Sequence, residues 1–314
     1  MPVIEVWRDR FRTRIPSIRG FLARAAADRR NLIYDLLPLF STPRARNRVR
    51  RLFAAVRPKT AGFSPSALAV AWTDRLVTDG IMPSLPPVSE PAVSEMRAYF
   101  EATPCIDPYR AHLGEFRFDQ PASPDTNMGY YGVAQILAAP HVLGLFNDPK
   151  ILETAERYLG CKPLLDNIGA WWSYPGRPAA KGTQRYHRDF DSFGGFKLFI
   201  YLTDVDAEAG PHVFMKGSHR SPLLDTGRAC PDELVYRWFG RENEMTVTGP
   251  AGTRFIADTF GFHKGLLPVH GRRLLVSAQY NVNASPHTPR QRSNAFAGGF
   301  DPEINSLILA DKAR

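Results

Sequence analysis

The sequence predicts an α+β chain with a mainly β core, of jelly-roll or sandwich type, preceded by a large helical portion. Three observations carry this. From residue 163 onward, short runs rich in β-branched and aromatic residues alternate with Gly, Pro and Asp turns, the texture of a sandwich or jelly roll. Before that point, apolar residues recur at helical spacing. There is also no glycine-rich phosphate loop, no strand–helix alternation and no internal repeat, which argues against nucleotide-binding α/β folds and solenoids.

Taken in order, the chain opens with arginine-rich helices over 3–14, 18–30, 31–40 and, after the break at Pro43, 44–57. A helix over 65–78 follows, with Ser64 placed to cap it and Pro65 suited to its first position. A turn-rich stretch at 82–87 separates it from a helix over 88–102. Residues 129–131 read as part of a polar loop, and 151–159 as an amphipathic helix ending at Gly160. Strands are expected over 164–174, 196–203, 212–216, 245–248, 254–258 and 273–283. The organisation expected is a basic helical segment, 1–60, and one domain, 61–314. Within that domain, helical support over 61–160 leads to a β core over about 163–283 and a tail over 284–314.

With 314 residues, 44% hydrophobic and 23% charged, the chain has ordinary globular composition and can bury a full core. No apolar run approaches the roughly 18–20 residues that span a bilayer. Arginines also break every short apolar stretch near the N-terminus, so no secretory signal is expected. Cys105, Cys161 and Cys230 are too widely spaced for a disulfide framework or zinc cluster, so the expected setting is reducing and cytoplasmic. The net charge of +9 is unevenly spread: residues 1–60 hold 15 Lys/Arg against 4 Asp/Glu. That segment suits weak contact with an anionic surface, or simply a solvated face. No aromatic interleaving or motif supports a specific nucleic-acid reader.

The chemistry concentrates at Tyr186-His187-Arg188-Asp189. In an extended segment, side chains at i and i+2 share a face, so His187 and Asp189 present an imidazole and a carboxylate side by side. These are two members of a facial 2-His-1-carboxylate set, which leaves three coordination positions open. Alone the triplet is weak, since a surface salt bridge or turn has the same pattern. His263 lies downstream, just after a strand-like run, and Arg273 heads the apolar strand Leu274-Leu-Val-Ser-Ala-Gln-Tyr280. A buried arginine there is costly without an anion, and its planar fork suits a carboxylate. A chelating dicarboxylic keto acid fits both features, one end on the metal and the other on the guanidinium.

The segment His187-Arg-Asp-Phe-Asp-Ser-Phe, the run Phe196-Lys-Leu-Phe-Ile-Tyr-Leu-Thr-Asp-Val-Asp206, Gly210-Pro211 and Lys216-Gly-Ser-His219 together resemble the phytanoyl-CoA dioxygenase family. The resemblance covers roughly 163–283. It implies a double-stranded β-helix (jelly roll, cupin-like) and an Fe(II)-, 2-oxoglutarate- and O2-dependent enzyme. Such an enzyme would hydroxylate an unactivated C–H bond of a small molecule, with release of succinate and CO2. The resemblance implies metal ligation by His187, Asp189 and His263 and a 2-oxoglutarate anchor at Arg273. Arg272 competes for that role, but Arg273 fits the R-x-x-x-S pattern leading into the last strand (Arg273 to Ser277). Asp189 stands where related halogenases carry a small residue, which argues against halogenation and leaves hydroxylation as the default beside desaturation, ring formation and epimerisation.

Two positions depart from the family pattern. Many members carry serine two residues after the distal histidine, and here that position is Gly265. Tyr201 stands where relatives often place an inward aromatic such as Trp. By period 2, Lys197 and Phe199 share the face of Tyr201. Lys197 is therefore either a second cation for the keto acid or a lysine on the outer face. Trp172 and Tyr174 are candidates for the pocket mouth, although aromatic strand residues are more often core. Asp191 is a candidate partner of a ligand or a loop acid. His219 is expected to order a turn, and His212 and His270 to sit beside strands. Two other classes remain on the sequence: a zinc hydrolase on the same ligands, which has no need of Arg273, and a non-catalytic jelly-roll binding protein, which has no need of an intact triad.

Overall fold

The computed structural model describes residues 42–221, 229–285 and 299–309, with isolated positions at 20, 22, 23, 26 and 40. The helices expected over 3–14, 18–30 and 31–40, and most of the tail from 284, lie outside the described residues. The described chain is a large antiparallel β core with helices packed on it. Its first helix, α1 (Pro43–Val56), starts where the Thr42 hydroxyl accepts a hydrogen bond from the Ala45 N–H. Helix α2 (Ala67–Asp79) is capped by Ser66, whose hydroxyl accepts from Ala69 N–H, and not by Ser64 as the sequence suggested. Ser66 is the last residue with extended backbone, so Pro65 falls outside the helix. Then come β1 (Ile81–Leu85), α3 (Glu90–Ala102), β2 (Cys105–Ile106), β3 (Glu115–Phe116), β4 (Met128–Tyr130), α4 (Val133–Ala138), α5 (Val142–Phe146) and α6 (Pro149–Leu159). The remaining elements are β5 (Leu164–Ser173), β6 (Gly195–Tyr201), β7 (His212–Met215), α7 (Asp232–Phe239), β8 (Glu244–Val247), β9 (Arg254–Ala257), β10 (His263–Gly265) and β11 (Arg273–Asn281).

Two expected irregular stretches are strands. The turn-rich 82–87 stretch contributes to β1, an edge strand paired with β9, where Pro83 removes no ladder hydrogen bond that an inner strand needs. The loop expected at 129–131 is largely β4, paired to β5 with Gly129 opposite Trp172. Glycine is required there, because a Cβ would sit 2.7 Å from Cys105 Sγ and 2.9 Å from the Tyr174 hydroxyl.

The large sheet runs in the order β1-β9-β6-β11-β5-β4-β2-β3, and the small one β10-β7-β8. Strand β11 lies between β5 and β6 and is buried along its whole length. Its residues Leu274, Val276, Ala278 and Tyr280 face a core shared with Trp72 and Leu76 of α2, Met96 and Phe100 of α3, and Ile151 of α6. The opposite face turns toward the small sheet, where Phe199, Phe214, Phe255 and Leu275 form a second core. Helix α7 covers the far side of the small sheet over Tyr186, Val213 and Phe262. Both faces of the large sheet are therefore buried, which is why its inner strands read as continuous apolar runs. No described helix is long and apolar enough to cross a membrane.

Helix α1 packs through Phe53 and Ala54 against Leu159, Phe193 and Val282. Its arginines divide. Arg44, Arg48 and Arg51 are exposed, whereas Arg46 is buried over the Phe260 ring at 3.5 Å and pairs with Asp258 at 3.4 Å. Arg50 donates to the Tyr158 and Leu159 carbonyls, closing the last turn of α6.

Candidate metal centre

A cavity of about 270 Å³ lies between the two sheets, and His187, Asp189 and His263 line it. The backbones of the two histidines pair directly, each N–H donating to the other's carbonyl at 3.0 Å. Asp189 N–H donates to the Thr259 carbonyl at 2.9 Å, extending the same pairing. The imidazole centroids consequently lie 4.2 Å apart. His187 Nε2 is 3.6 Å from Asp189 Oδ1, and His263 Nε2 is 3.6 Å from Oδ2. One ligand atom from each of the three residues fits within 4.8 Å of the others, and no second such group occurs among the described residues.

Main-chain carbonyls fix the orientation of both rings. His187 Nδ1 lies 2.9 Å from the Arg185 carbonyl, and His263 Nδ1 lies 2.9 Å from that of Gly261. A carbonyl only accepts, so each Nδ1 carries the proton and donates it. In the neutral ring this leaves the Nε2 lone pair turned into the triad. Burial, reinforced by His187, pushes His263 down to about 3, so its ring is neutral. Burial alone would raise the Asp189 carboxyl, but Lys197, His263 and His187 outweigh it and hold the group well below the usual carboxylate range. The set is thus two imidazole lone pairs and one carboxylate.

The flanking motifs hold this geometry. Arg188 points away from the cavity, as alternation requires. It stacks 4.2 Å from the Phe262 centroid and donates to the Ser218 carbonyl at 2.5 Å. Ser218 Oγ accepts from Phe262 N–H at 2.8 Å and donates to the Met215 carbonyl at 2.6 Å, tying the Gly-Ser-His turn to the strand that carries His263. His219 orders that turn against α2, its Nε2 lying 3.2 Å from the Val77 carbonyl.

Arg273 reaches the same cavity from β11 and is 2% exposed. It donates to the Gly210 carbonyl and, at 3.0 Å, to Ser173 Oγ, while its Nε has no partner. No carboxylate pairs with it among the described residues, and burial lowers its pKa. Gly265 faces it so closely that a Cβ there would lie 3.0 Å from Nη2. The neighbouring Arg272 lines a different, open groove with Arg97 and Phe118. Lys197 lines the same cavity, so it is not on the outer face. Its Nζ lies 2.7 Å from Asp189 Oδ2 and 3.8 Å from Asp191 Oδ2, which puts Asp191 beside the lysine that pairs with Asp189.

Three expected site residues are placed elsewhere. Tyr201 does not line the cavity: its hydroxyl donates to the Val247 carbonyl at 3.0 Å and accepts from His212 N–H at 2.8 Å. Trp172 and Tyr174 lie on the helix-covered face, where Trp172 Nε1 donates to the Tyr131 hydroxyl at 2.8 Å. Their expected place at the mouth goes to Trp171, one position earlier, stacked on Tyr130 at 5.4 Å and 6°. With both faces of β5 buried, two adjacent tryptophans give no sign of which one faces the cavity. His212, which the sequence places beside the strands with no site role, is the first residue of β7 and also lines the cavity.

No family model and no curated protein matches the sequence. Solved structures do match the fold. The non-heme alpha-ketoglutarate-dependent epimerase SnoN from nogalamycin biosynthesis aligns with a TM-score of 0.52 and 22% identity, over 78% of this chain and 96% of SnoN. SnoN in complex with Fe3+, alpha-ketoglutarate and nogalamycin RO aligns at 0.51. HygX from Streptomyces hygroscopicus, with nickel, 2-oxoglutarate and hygromycin B bound, aligns at 0.50 and 15% identity over 73% of this chain and 93% of HygX. At these identities the likeness is one of fold.

Proposed function

We propose that the protein is an Fe(II)- and 2-oxoglutarate-dependent oxygenase on a double-stranded β-helix, with residues 61–314 as its catalytic unit and α1 packed against it. In this reading His187, Asp189 and His263 hold the iron, and Arg273 holds the far carboxylate of 2-oxoglutarate. The observation that carries it is Arg273: a buried guanidinium with no acidic partner among the described residues, in the same cavity as a His-Asp-His cluster. The donor set also fits, since two imidazoles and a carboxylate on one side leave three positions for cosubstrate and oxygen. Zinc accepts the same three ligands, but a zinc hydrolase gives Arg273 nothing to do.

Iron and 2-oxoglutarate bound there, with dioxygen, supply the oxidation of an unactivated C–H bond, by default hydroxylation, with release of succinate and CO2. The chain's residues supply placement. The Arg185 and Gly261 carbonyls hold both imidazoles in register, and Lys197 holds the Asp189 carboxylate. Phe199, Leu275 and Trp171 keep the cavity wall apolar and limit water. The substrate in this reading is a small molecule, as are the nogalamycin RO and hygromycin B bound in the similar structures. Anaerobic titration of the metal-free protein with iron(II) and then 2-oxoglutarate tests the proposal. The expected result is a weak visible charge-transfer band that saturates at one equivalent of keto acid. Absence of the band, with zinc bound in preference, overturns it.

A further inference from the structure

Arg273 leaves part of a bound carboxylate unanswered. A carboxylate offers two oxygens with about four acceptor sites, and one guanidinium edge fills only two of them. Gly265, whose absent Cβ would lie 3.0 Å from Arg273 Nη2, presents no side chain that could add a donor there. Gly265 pairs in register with His212, the first residue of β7. The His212 side chain therefore stands beside the gap, on the face of the small sheet that turns to the cavity.

Resting on the keto-acid reading of Arg273, we propose that His212 is a second cosubstrate anchor, donating from Nε2 to the carboxylate that Arg273 binds. The imidazole is 4% exposed and lines the cavity, yet its Nε2 has no hydrogen-bond partner among the described residues. A buried polar atom of this kind is costly unless a ligand completes it. Its other surroundings cannot do so. Phe199, Phe255 and His263 pack around the ring at centroid distances of 4.9, 5.1 and 5.6 Å. The backbone is pinned too, because His212 N–H donates to the Tyr201 hydroxyl at 2.8 Å. Tyr201, a candidate contact to the cosubstrate by its place on β6, thus acts by holding His212. An imidazole can carry its N–H on either ring nitrogen, and an anion at Arg273 draws that N–H to Nε2.

A purely mechanical role, as a ring packed on His263, makes a different prediction, and two keto acids separate the roles. 2-Oxoglutarate has the distal carboxylate; 2-oxobutyrate offers the same chelating end without it. Dissociation constants of both are measured by anaerobic titration of the iron-loaded protein. His212→Phe keeps an aromatic ring among Phe199 and Phe255 but removes the donor. It should weaken 2-oxoglutarate about tenfold to a hundredfold and leave 2-oxobutyrate unchanged. His212→Gln, which keeps a donor, should recover part of the loss. Equal weakening of both acids, or wild-type 2-oxoglutarate affinity in His212→Phe, overturns the proposal. If the wild-type iron protein binds no 2-oxoglutarate, the reading of Arg273 falls and this one with it, before any variant is made.

Discussion

Replacing Arg273 with methionine separates a cation that holds the fold from a cation that holds a ligand. The side chain is 2% exposed and donates to Ser173 Oγ at 3.0 Å and to the Gly210 carbonyl. Losing two such bonds from a charged donor costs about 1.5–3 kcal/mol each. Against that, the variant no longer removes a charge from water, a penalty of several kcal/mol in a real protein interior. The two contributions nearly cancel, so the ligand-free variant should melt within about 4 °C of wild type. With 2-oxoglutarate present the balance differs, because a buried bidentate guanidinium–carboxylate pair is lost outright. That loss amounts to about 3–5 kcal/mol, or two to four powers of ten in affinity. The assays are anaerobic charge-transfer titration for affinity and thermal unfolding with and without 2-oxoglutarate. Wild-type affinity in Arg273→Met would refute the anchor and move it to Lys197, the other cation lining the cavity. A collapse in the melting temperature of the ligand-free protein would instead show that Arg273 serves the fold.

Lys197→Met should raise affinity for a divalent metal about tenfold in the absence of keto acid, since an ammonium 2.7 Å from Asp189 Oδ2 opposes the metal. Calorimetry reads this directly, and weaker metal binding in the variant would sink the idea. Arg46→Ala should destabilise the protein by about 2–4 kcal/mol, because it removes a buried ion pair with Asp258 and the stacking on Phe260. Denaturant unfolding checks it, and a change below roughly 0.5 kcal/mol would show that the pair contributes nothing. Burial lowers His219 from its ordinary 6.5, so the unfolded chain takes up the proton first and stability falls as pH drops below that value. His219→Leu should melt lower at neutral pH but show a shallower decline between about pH 7 and about pH 5.5. An unchanged slope would assign the acid sensitivity to other groups.

Most of the β core was legible because its strands are bounded by turn residues and rich in β-branched and aromatic side chains. Expected strands at 164–174, 196–203 and 273–283 correspond to Leu164–Ser173, Gly195–Tyr201 and Arg273–Asn281. The adjacency of His187 and Asp189 followed from period 2 alone, and Arg188 on the opposite face shows the same alternation. The two tryptophans were misassigned for a specific reason. In a sheet buried on both faces, apolar residues occupy both parities, so the pattern that tells a cavity-facing residue from a core one is erased. Trp171 and Trp172 were therefore indistinguishable. Strands β1 and β4 were hidden for a different reason: Pro83 and Gly129 read as turns, and only an edge position or a close neighbour explains them.

The arginine run in 44–51 illustrates how non-local contacts change the meaning of charge. Five arginines within eight residues suggested a solvated face or a contact with anions. Arg46 instead reaches Asp258, more than two hundred positions away in sequence, and Asp258 also accepts from the Tyr158 hydroxyl at 2.6 Å and from Phe260 N–H at 3.0 Å. That carboxylate begins the turn between β9 and β10, and the turn ends at His263. One face of a basic helix thus steadies the segment that delivers the third metal ligand of the proposed site, while Arg44, Arg48 and Arg51 stay in solvent. Charge density along the sequence cannot reveal that division, because it depends on which turn of the helix meets the acid. A damaged Arg46–Asp258 pair should therefore weaken metal binding as well as stability, although neither residue lies among the three metal-binding candidates.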